Sequence, residues 1–154
     1  MLFRSLGYRV MNLGPYLEGE THHVADTLAR ILRGQRGPMA LISGGETTVT
    51  LGPDHGKGGR NQEFVLACLA RLGLDPIGDA VILSAGTDGE DGPTDAAGAV
   101  GDRDTLSRAR AMGLSVPDHL DRHDAYPFFD ATGDLLRTGL TQTNVMDVRV
   151  MLVG

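Results

Sequence analysis

The chain has 154 residues and a formal net charge of −6, from 20 acidic against 14 basic side chains. That length suits one domain, or one domain and a piece of another, and it encloses a core without disulfide or metal staples. Hydrophobic residues at 41% and charged residues at 22% exclude collagen, coiled coil and extended disorder. The acid excess and the lack of a basic stripe leave no nucleic-acid partner to expect. No apolar run approaches a membrane span, and the start MLFRSLGYRV lacks the apolar core of a signal peptide. The single cysteine, Cys68, fits a reducing compartment, so a cytoplasmic location is expected.

Residues 8–13 (YRVMNL) read as a strand ending at the Gly14-Pro15 turn. Over Thr21–Arg33, Val24, Leu28, Ile31 and Leu32 recur on one helical face, with Thr21 as N-cap and Gly34 as stop. Gly34-Gln35-Arg36-Gly37-Pro38 punctuates the chain and sets a candidate boundary between 1–37 and 38–154. Beyond it lie the apolar run 39–42, a loop Ser43-Gly44-Gly45-Glu46, and a β-branched strand over 47–51. Arg60–Leu72 predicts a helix with Val65, Leu69 and Leu72 on one face, and Cys68 as core packing. AVILSA (80–85) predicts a strand covered on both faces. A helix over Asp102–Met112 capped by Asp102, a short helix around Ala125–Ala131 and a closing strand over 148–153 complete the pattern. Strands alternating with helices predict an α/β fold, a layered sheet with helices.

Glycine is the unusual feature: 22 of 154 residues, roughly twice the common share of about 7%. Half of these glycines fall within residues 44–59 and 86–101, two polar stretches that each follow an apolar run. In Ser43-Gly44-Gly45-Glu46, glycines leave backbone N–H groups free to approach an anion, or simply make a tight turn. Gly56-Lys57-Gly58-Gly59-Arg60-Asn61 enters a helix, where the dipole and the unpaired amides attract phosphate or carboxylate, or else forms a mobile basic hairpin. Arg60 is able to grip two oxygens at once. Neither a P-loop nor a GxGxxG dinucleotide fingerprint is present. Asp88, Glu90, Asp91 and Asp95 lie among glycines after a strand, which suits hard-cation ligation by oxygen or, equally, solvated turn acids. Residues 138–144 (TGLTQTN) form another candidate ligand-facing loop. The five histidines show no HxH or HxxxH metal spacing apart from the i, i+4 pair His119 and His123, which lacks the HExxH glutamate, and they read as surface residues.

In order along the chain, LISGGETTVTL, GKGGRNQEFVLA, SAGTDGEDGPTDAAGA, DTLSRARAMGL and DLLRTGLTQTNVMDVRVMLV resemble the C-terminal, MOFRL domain of the glycerate 2-kinase family. The resemblance runs from about Pro38 to Gly154, with residues 1–37 similar to the end of the family's preceding, nucleotide-binding-type domain. It implies ATP-dependent, Mg²⁺-assisted phosphorylation of D-glycerate at its 2-hydroxyl, in a cleft between two α/β domains. Some relatives carry the name hydroxypyruvate reductase, which the missing dinucleotide fingerprint disfavours.

Carried onto this sequence, the family's motifs imply Arg60, Lys57 and Asp88 as catalytic residues and Asp88, Asp91 and Asp95 as metal ligands. They imply Ser43, Gly44, Gly45, Glu46, Gly59, Asn61, Thr138, Gly139, Thr141 and Asn144 as substrate-binding residues. Leu140 departs from the family's usual proline. The resemblance also implies that the opposite wall of the cleft comes from a missing N-terminal domain or a split-enzyme partner, without which the chain is inactive or serves as a binding module. Val24, Leu28, Ile31 and Leu32 are expected either to pack on the small domain or to present an apolar stripe, which would favour a homo-oligomer.

Overall fold

The computed structural model describes residues 2–154, with Asp75 and Pro76 described by their backbone alone. The elements, in chain order, are α1 (Leu2–Ser5), β1 (Arg9–Asn12), β2 (Gly19–Glu20), α2 (Thr21–Arg33), β3 (Met39–Gly45), β4 (Thr47–Thr48), α3 (Arg60–Leu72), α4 (Leu74–Ile77), β5 (Val81–Gly86), β6 (Gly98–Gly101), α5 (Arg103–Ala111), α6 (Val116–Asp121), α7 (Ala125–Thr132), β7 (Leu135–Leu136) and β8 (Asp147–Val153). Six strands form one mixed sheet in the order β1-β3-β8-β5-β6-β7, and β2 pairs with β4 in a parallel ribbon. Only β1 and β3 run parallel within the large sheet; every other pairing there is antiparallel. The α/β expectation therefore holds, with an antiparallel majority. No helix among the described residues is long and apolar enough to cross a membrane.

Because side chains alternate across a strand, the register sorts β3, β8 and β5 into two faces. On one face lie Leu41, Met151 and Ile82 as cross-strand neighbours, followed by Ser43, Arg149 and Ser84, then Gly45, Asp147 and Gly86. Helix α3 covers this face. Residues Asn61–Leu69 are all buried, enclosed by α2, β5, β6, α6 and α7 in one apolar cluster. Phe128 and Phe129 from α7 meet edge to face at 5.2 Å within it, each burial contributing about 1.5–3 kcal/mol. On the opposite face Leu83, Val148, Val150 and Leu152 stay half-buried. The strand expected over 80–85 is thus fully covered on the α3 face, while on its other face Val81 and Leu83 are half-buried and Ala85 is buried.

Several boundaries move. Helices α2 and α3 span the residues expected, but Thr21 does not cap α2: Glu20 occupies that position, and the Thr21 hydroxyl instead donates to Thr48 O at 2.9 Å. Asp102 caps α5 as expected, through Thr105 N in a capping box. The strand expected over 47–51 is reduced to Thr47–Thr48, while β3 continues through Ser43, Gly44 and Gly45, which were read as a loop. The candidate boundary at 34–38 is crossed by the sheet, since β1 pairs with β3, and by the core, since Val24, Leu28 and Leu32 are buried against α3. Helix α2 thus presents no free apolar stripe, which removes that ground for self-association. Cys68 is fully buried, as expected of core packing.

Candidate functional site

The first turn of α3 rests on the polar end of the covered sheet face. Alternation along β8 aims Asp147 and Arg149 inward, and both are buried. Arg60 donates to Asp147 through Nε (2.8 Å to Oδ2) and Nη2 (3.0 Å to Oδ1), a two-pronged pair that fixes the guanidinium plane. This carboxylate raises the already high pKa of Arg60. Arg149 Nη2 reaches Asp147 Oδ2 at 3.2 Å and Thr47 Oγ1 at 3.1 Å. Burial lowers the Arg149 pKa, and its Nε and Nη1 have no partner among the described residues. On the outer side, Arg60 Nη1 lies 3.1 Å from the half-exposed Glu46 carboxylate.

Asn61 ties this group to the sheet and to the 87–95 loop. Its side-chain amide donates to Asp147 (3.0 Å) and Asp91 (3.2 Å) and accepts from Ser84 Oγ at 2.6 Å. Asp91 receives the α3 backbone amides of Asn61 (3.0 Å) and Gln62 (2.9 Å). Burial pushes its carboxyl up, and those amides pull it back. The helix N-terminus proposed from sequence as an anion site is therefore occupied in large part by the chain's own carboxylate. Gly59 permits the close approach, since a Cβ there would collide with Asp91.

Glu46, Gly58, Gly59 and Arg60 line a cavity of about 390 Å³, together with Thr47, Val49, Leu51, Pro93 and others. Ser43 lies outside it: the residue is buried in β3 and its hydroxyl has no partner among the described residues. Gly44 and Gly45 are engaged within the fold. The Gly44 amide donates to Gly14 O at 2.9 Å, and a Cβ on Gly45 would strike the backbone of Leu17. The expectation of free amides in this segment fails at Gly44 for that reason.

A second assembly joins residues 87–91 to residues 138–146. Asn144 Nδ2 donates to Asp88 Oδ2 (3.1 Å), the Thr141 amide donates to Asp88 O (3.0 Å), and the Thr141 hydroxyl donates to Thr87 O. Thr138 Oγ1 turns onto Gly139 O at 2.9 Å. Gly89, at φ +93°, sits so close to Gly139 that a Cβ would meet its carbonyl. The two loops predicted to face a ligand thus pack against each other.

Lys57 is engaged at the start of α7. Its ammonium lies 4.1 Å from the centre of the Tyr126 ring, and its amide donates to Asp124 at 2.9 Å. Tyr126 in turn donates to Asp95 at 2.7 Å, and Arg137 bridges Asp95 (3.0 Å) and Asp130 (2.7 Å).

These placements decide whether Asp88, Asp91 and Asp95 fit Mg²⁺ as one centre. They do not: Asp91 is consumed by α3 amides, Asp95 by Tyr126 and Arg137, and Asp88 by Glu90 N and Asn144. Among the described residues the one convergent set of metal-type side chains is His22, Glu63 and His123. The linear spacing of the histidines gave no sign of it, because the three residues come from α2, α3 and the turn after α6. His22 and His123 are half-buried, not the surface residues expected. Asp147 and Arg149 were also missed; inside an otherwise apolar strand, their charge was the available signal.

Residues 39–147 match the model of the MOFRL family. The chain is 45% identical over 150 residues to a protein of Agrobacterium vitis named putative hydroxypyruvate reductase, covering 92% of this chain and 38% of that one. It is 49% identical over 122 residues to glycerate kinase of Rattus norvegicus, covering 76% of this chain and 23% of that one. The crystal structure of glycerate kinase from Thermotoga maritima aligns with a TM-score of 0.90 at 37% identity, over 99% of this chain and 38% of that chain. The chain thus spans about a quarter to two-fifths of the length of these relatives.

Proposed function

The chain belongs to the MOFRL family, and on that premise we propose that it supplies one wall of the active cleft of a glycerate 2-kinase, which transfers the γ-phosphoryl group of ATP to the 2-hydroxyl of D-glycerate. The other wall, with the remaining nucleotide and substrate contacts, comes from a further segment or a partner chain. The full-length glycerate kinases it resembles, all much longer, support this reading. Cytoplasmic placement accords with the lone, buried Cys68.

One observation carries the site assignment: Arg60, at the cavity wall, is held from behind by the buried Asp147. Phosphoryl transfer depends on positioning and charge neutralisation more than on covalent chemistry by the protein. A guanidinium fixed through Nε and Nη2 keeps its Nη1 edge directed at one place. That edge receives a carboxylate or phosphate oxygen of the substrate in exchange for Glu46. Gly58 and Gly59, without side chains, let the anion approach. Asn61 and Asp91 act behind this surface as positioning residues, since both are buried. Asp88, Thr138, Gly139, Thr141 and Asn144 shape the neighbouring loop pair, and Lys57 adds positive charge beside the first loop.

Titrating the purified chain with D-glycerate, read by amide and arginine side-chain NMR, tests this reading. Shifts confined to Arg60 Nε–H and residues 56–61, abolished by Arg60→Ala, are the expected result. No shift at any concentration up to tens of times a typical KM of about 1 mM overturns the assignment. In a coupled assay with ATP, Mg²⁺ and D-glycerate, the chain alone is expected to give no turnover; turnover overturns the need for a second wall. NADH or NADPH oxidation with hydroxypyruvate overturns the kinase reading itself.

A further inference from the structure

We propose that His22, Glu63 and His123 bind a divalent transition-metal ion of the zinc type, at a site separate from any Mg²⁺ that accompanies a nucleotide. His22 Nε2 lies 2.9 Å from Glu63 Oε1, and His123 Nδ1 lies 2.9 Å from Glu63 Oε2. One ligand atom from each of the three lies within 4.8 Å of the others. Ligand atoms around a tetrahedral zinc, at about 2.0–2.1 Å from the metal, stand roughly 3.3 Å apart. Small side-chain adjustments within this set reach that spacing.

The geometry favours ligation over a simple charged cluster on two further grounds. Glu63 is 3% exposed, and apart from His22 Nε2 at 2.9 Å its Oε1 meets no hydrogen-bond donor among the described residues. A buried carboxylate oxygen costs free energy unless a cation or donor meets it. His123, moreover, holds a left-handed backbone at φ +52°, uncommon for a residue with a side chain. That conformation directs its imidazole at Glu63, and such an outlier is the kind that clusters at ligand sites.

The donor set selects the ion. Two imidazole nitrogens and one carboxylate suit Zn²⁺ and its neighbours, whereas Mg²⁺ takes an oxygen shell. Three protein ligands leave a fourth coordination position, the arrangement of zinc sites that accept an exogenous ligand. Glu63 and His123 line the same cavity as Arg60, so that position opens toward the anion-binding wall.

The test is titration of the purified chain with Zn²⁺ by calorimetry, and with Co²⁺ by visible absorption. One equivalent bound, with the intense bands of tetrahedral cobalt, is expected. His22→Ala and His123→Ala should each weaken binding at least about tenfold, the lower end of what even outer-shell partners contribute, while the exposed neighbour change His23→Ala leaves it unaltered. The two histidines carry the test because both are partly exposed; a Glu63 change risks the fold, and circular dichroism verifies that each variant is folded. Absence of binding, or undiminished binding in the His22 and His123 variants, overturns the site. The readout involves neither glycerate nor ATP, so it stands or falls apart from the kinase assignment.

Discussion

Arg60 and Asp147, 87 residues apart in the chain, meet in a two-pronged pair at 2.8 and 3.0 Å, and the same carboxylate also holds the fully buried Arg149. The two arginines differ in what Asp147 means to them. Arg60 is partly exposed and has Glu46 besides; for Arg149, Asp147 is the one ion-pair partner among the described residues. Removing one partner of a buried pair costs about 3–5 kcal/mol, because the other charge is left uncompensated. Asp147→Ala is therefore expected to lose stability on that scale in urea unfolding, with the slope unchanged. Arg60→Ala should lose distinctly less, since Asp147 keeps Arg149 and Asn61. Equal losses would show that Arg149 does not depend on this carboxylate.

The same strand shows why the site was only partly legible. In Asp147-Val148-Arg149-Val150-Met151-Leu152, period-two alternation places the valines and Leu152 on the face that looks buried by composition. The structure does the reverse: Asp147, Arg149 and Met151 go inward and the aliphatic residues are half-buried. Alternation reveals a strand but not which face is inside when a polar network occupies the interior. Helices α2 and α3 were legible because their apolar spacing and glycine stops agree with their packing. The Ser43-Gly44-Gly45 segment was not, since glycine signals close approach without saying of what. Here the approaching group is the chain's own segment 14–17.

Asp91 offers a way to separate a helix cap from a metal ligand. Its two oxygens take the amides of Asn61 and Gln62, so Asp91→Ala strips the cap from the central helix. Caps of this kind contribute about 0.5–2 kcal/mol, and burial of the orphaned amides places this one at the upper end. Asp91→Asn, which keeps an acceptor, should lose less. Both are read from thermal or urea midpoints. Mg²⁺ at millimolar concentration should not shift the wild-type midpoint through this residue; a shift that disappears in Asp91→Asn would reinstate it as a metal ligand.

Gly89 and Gly133 separate backbone strain from crowding. Both have positive φ, +93° and +79°, but a Cβ on Gly133 meets open space while one on Gly89 meets the Gly139 carbonyl. Gly133→Ala should cost only the left-handed penalty of about 1–2 kcal/mol. Gly89→Ala adds displacement of the 138–146 loop, so its loss should be larger and accompanied by amide shifts at Thr138–Asn144. If the two variants lose the same stability and Thr138–Asn144 do not shift, the packing of these two loops against each other is not maintained in solution.

Glu46 competes for the edge of Arg60 on which substrate binding is proposed to depend. The pair is half-exposed, Arg60 Nη1 standing 3.1 Å from Glu46 Oε1. Exposed pairs of this type are worth about 0.2–1 kcal/mol. Glu46→Gln removes both the competing partner and a negative charge from the cavity wall. D-glycerate should then bind more tightly, by up to about fivefold at low ionic strength, with the gain fading as salt screens the charge. The NMR titration used for the wild type measures this directly. Weaker binding in Glu46→Gln would mean instead that the carboxylate itself accepts a hydroxyl of the substrate, placing Glu46 in the glycerate contact and not beside it.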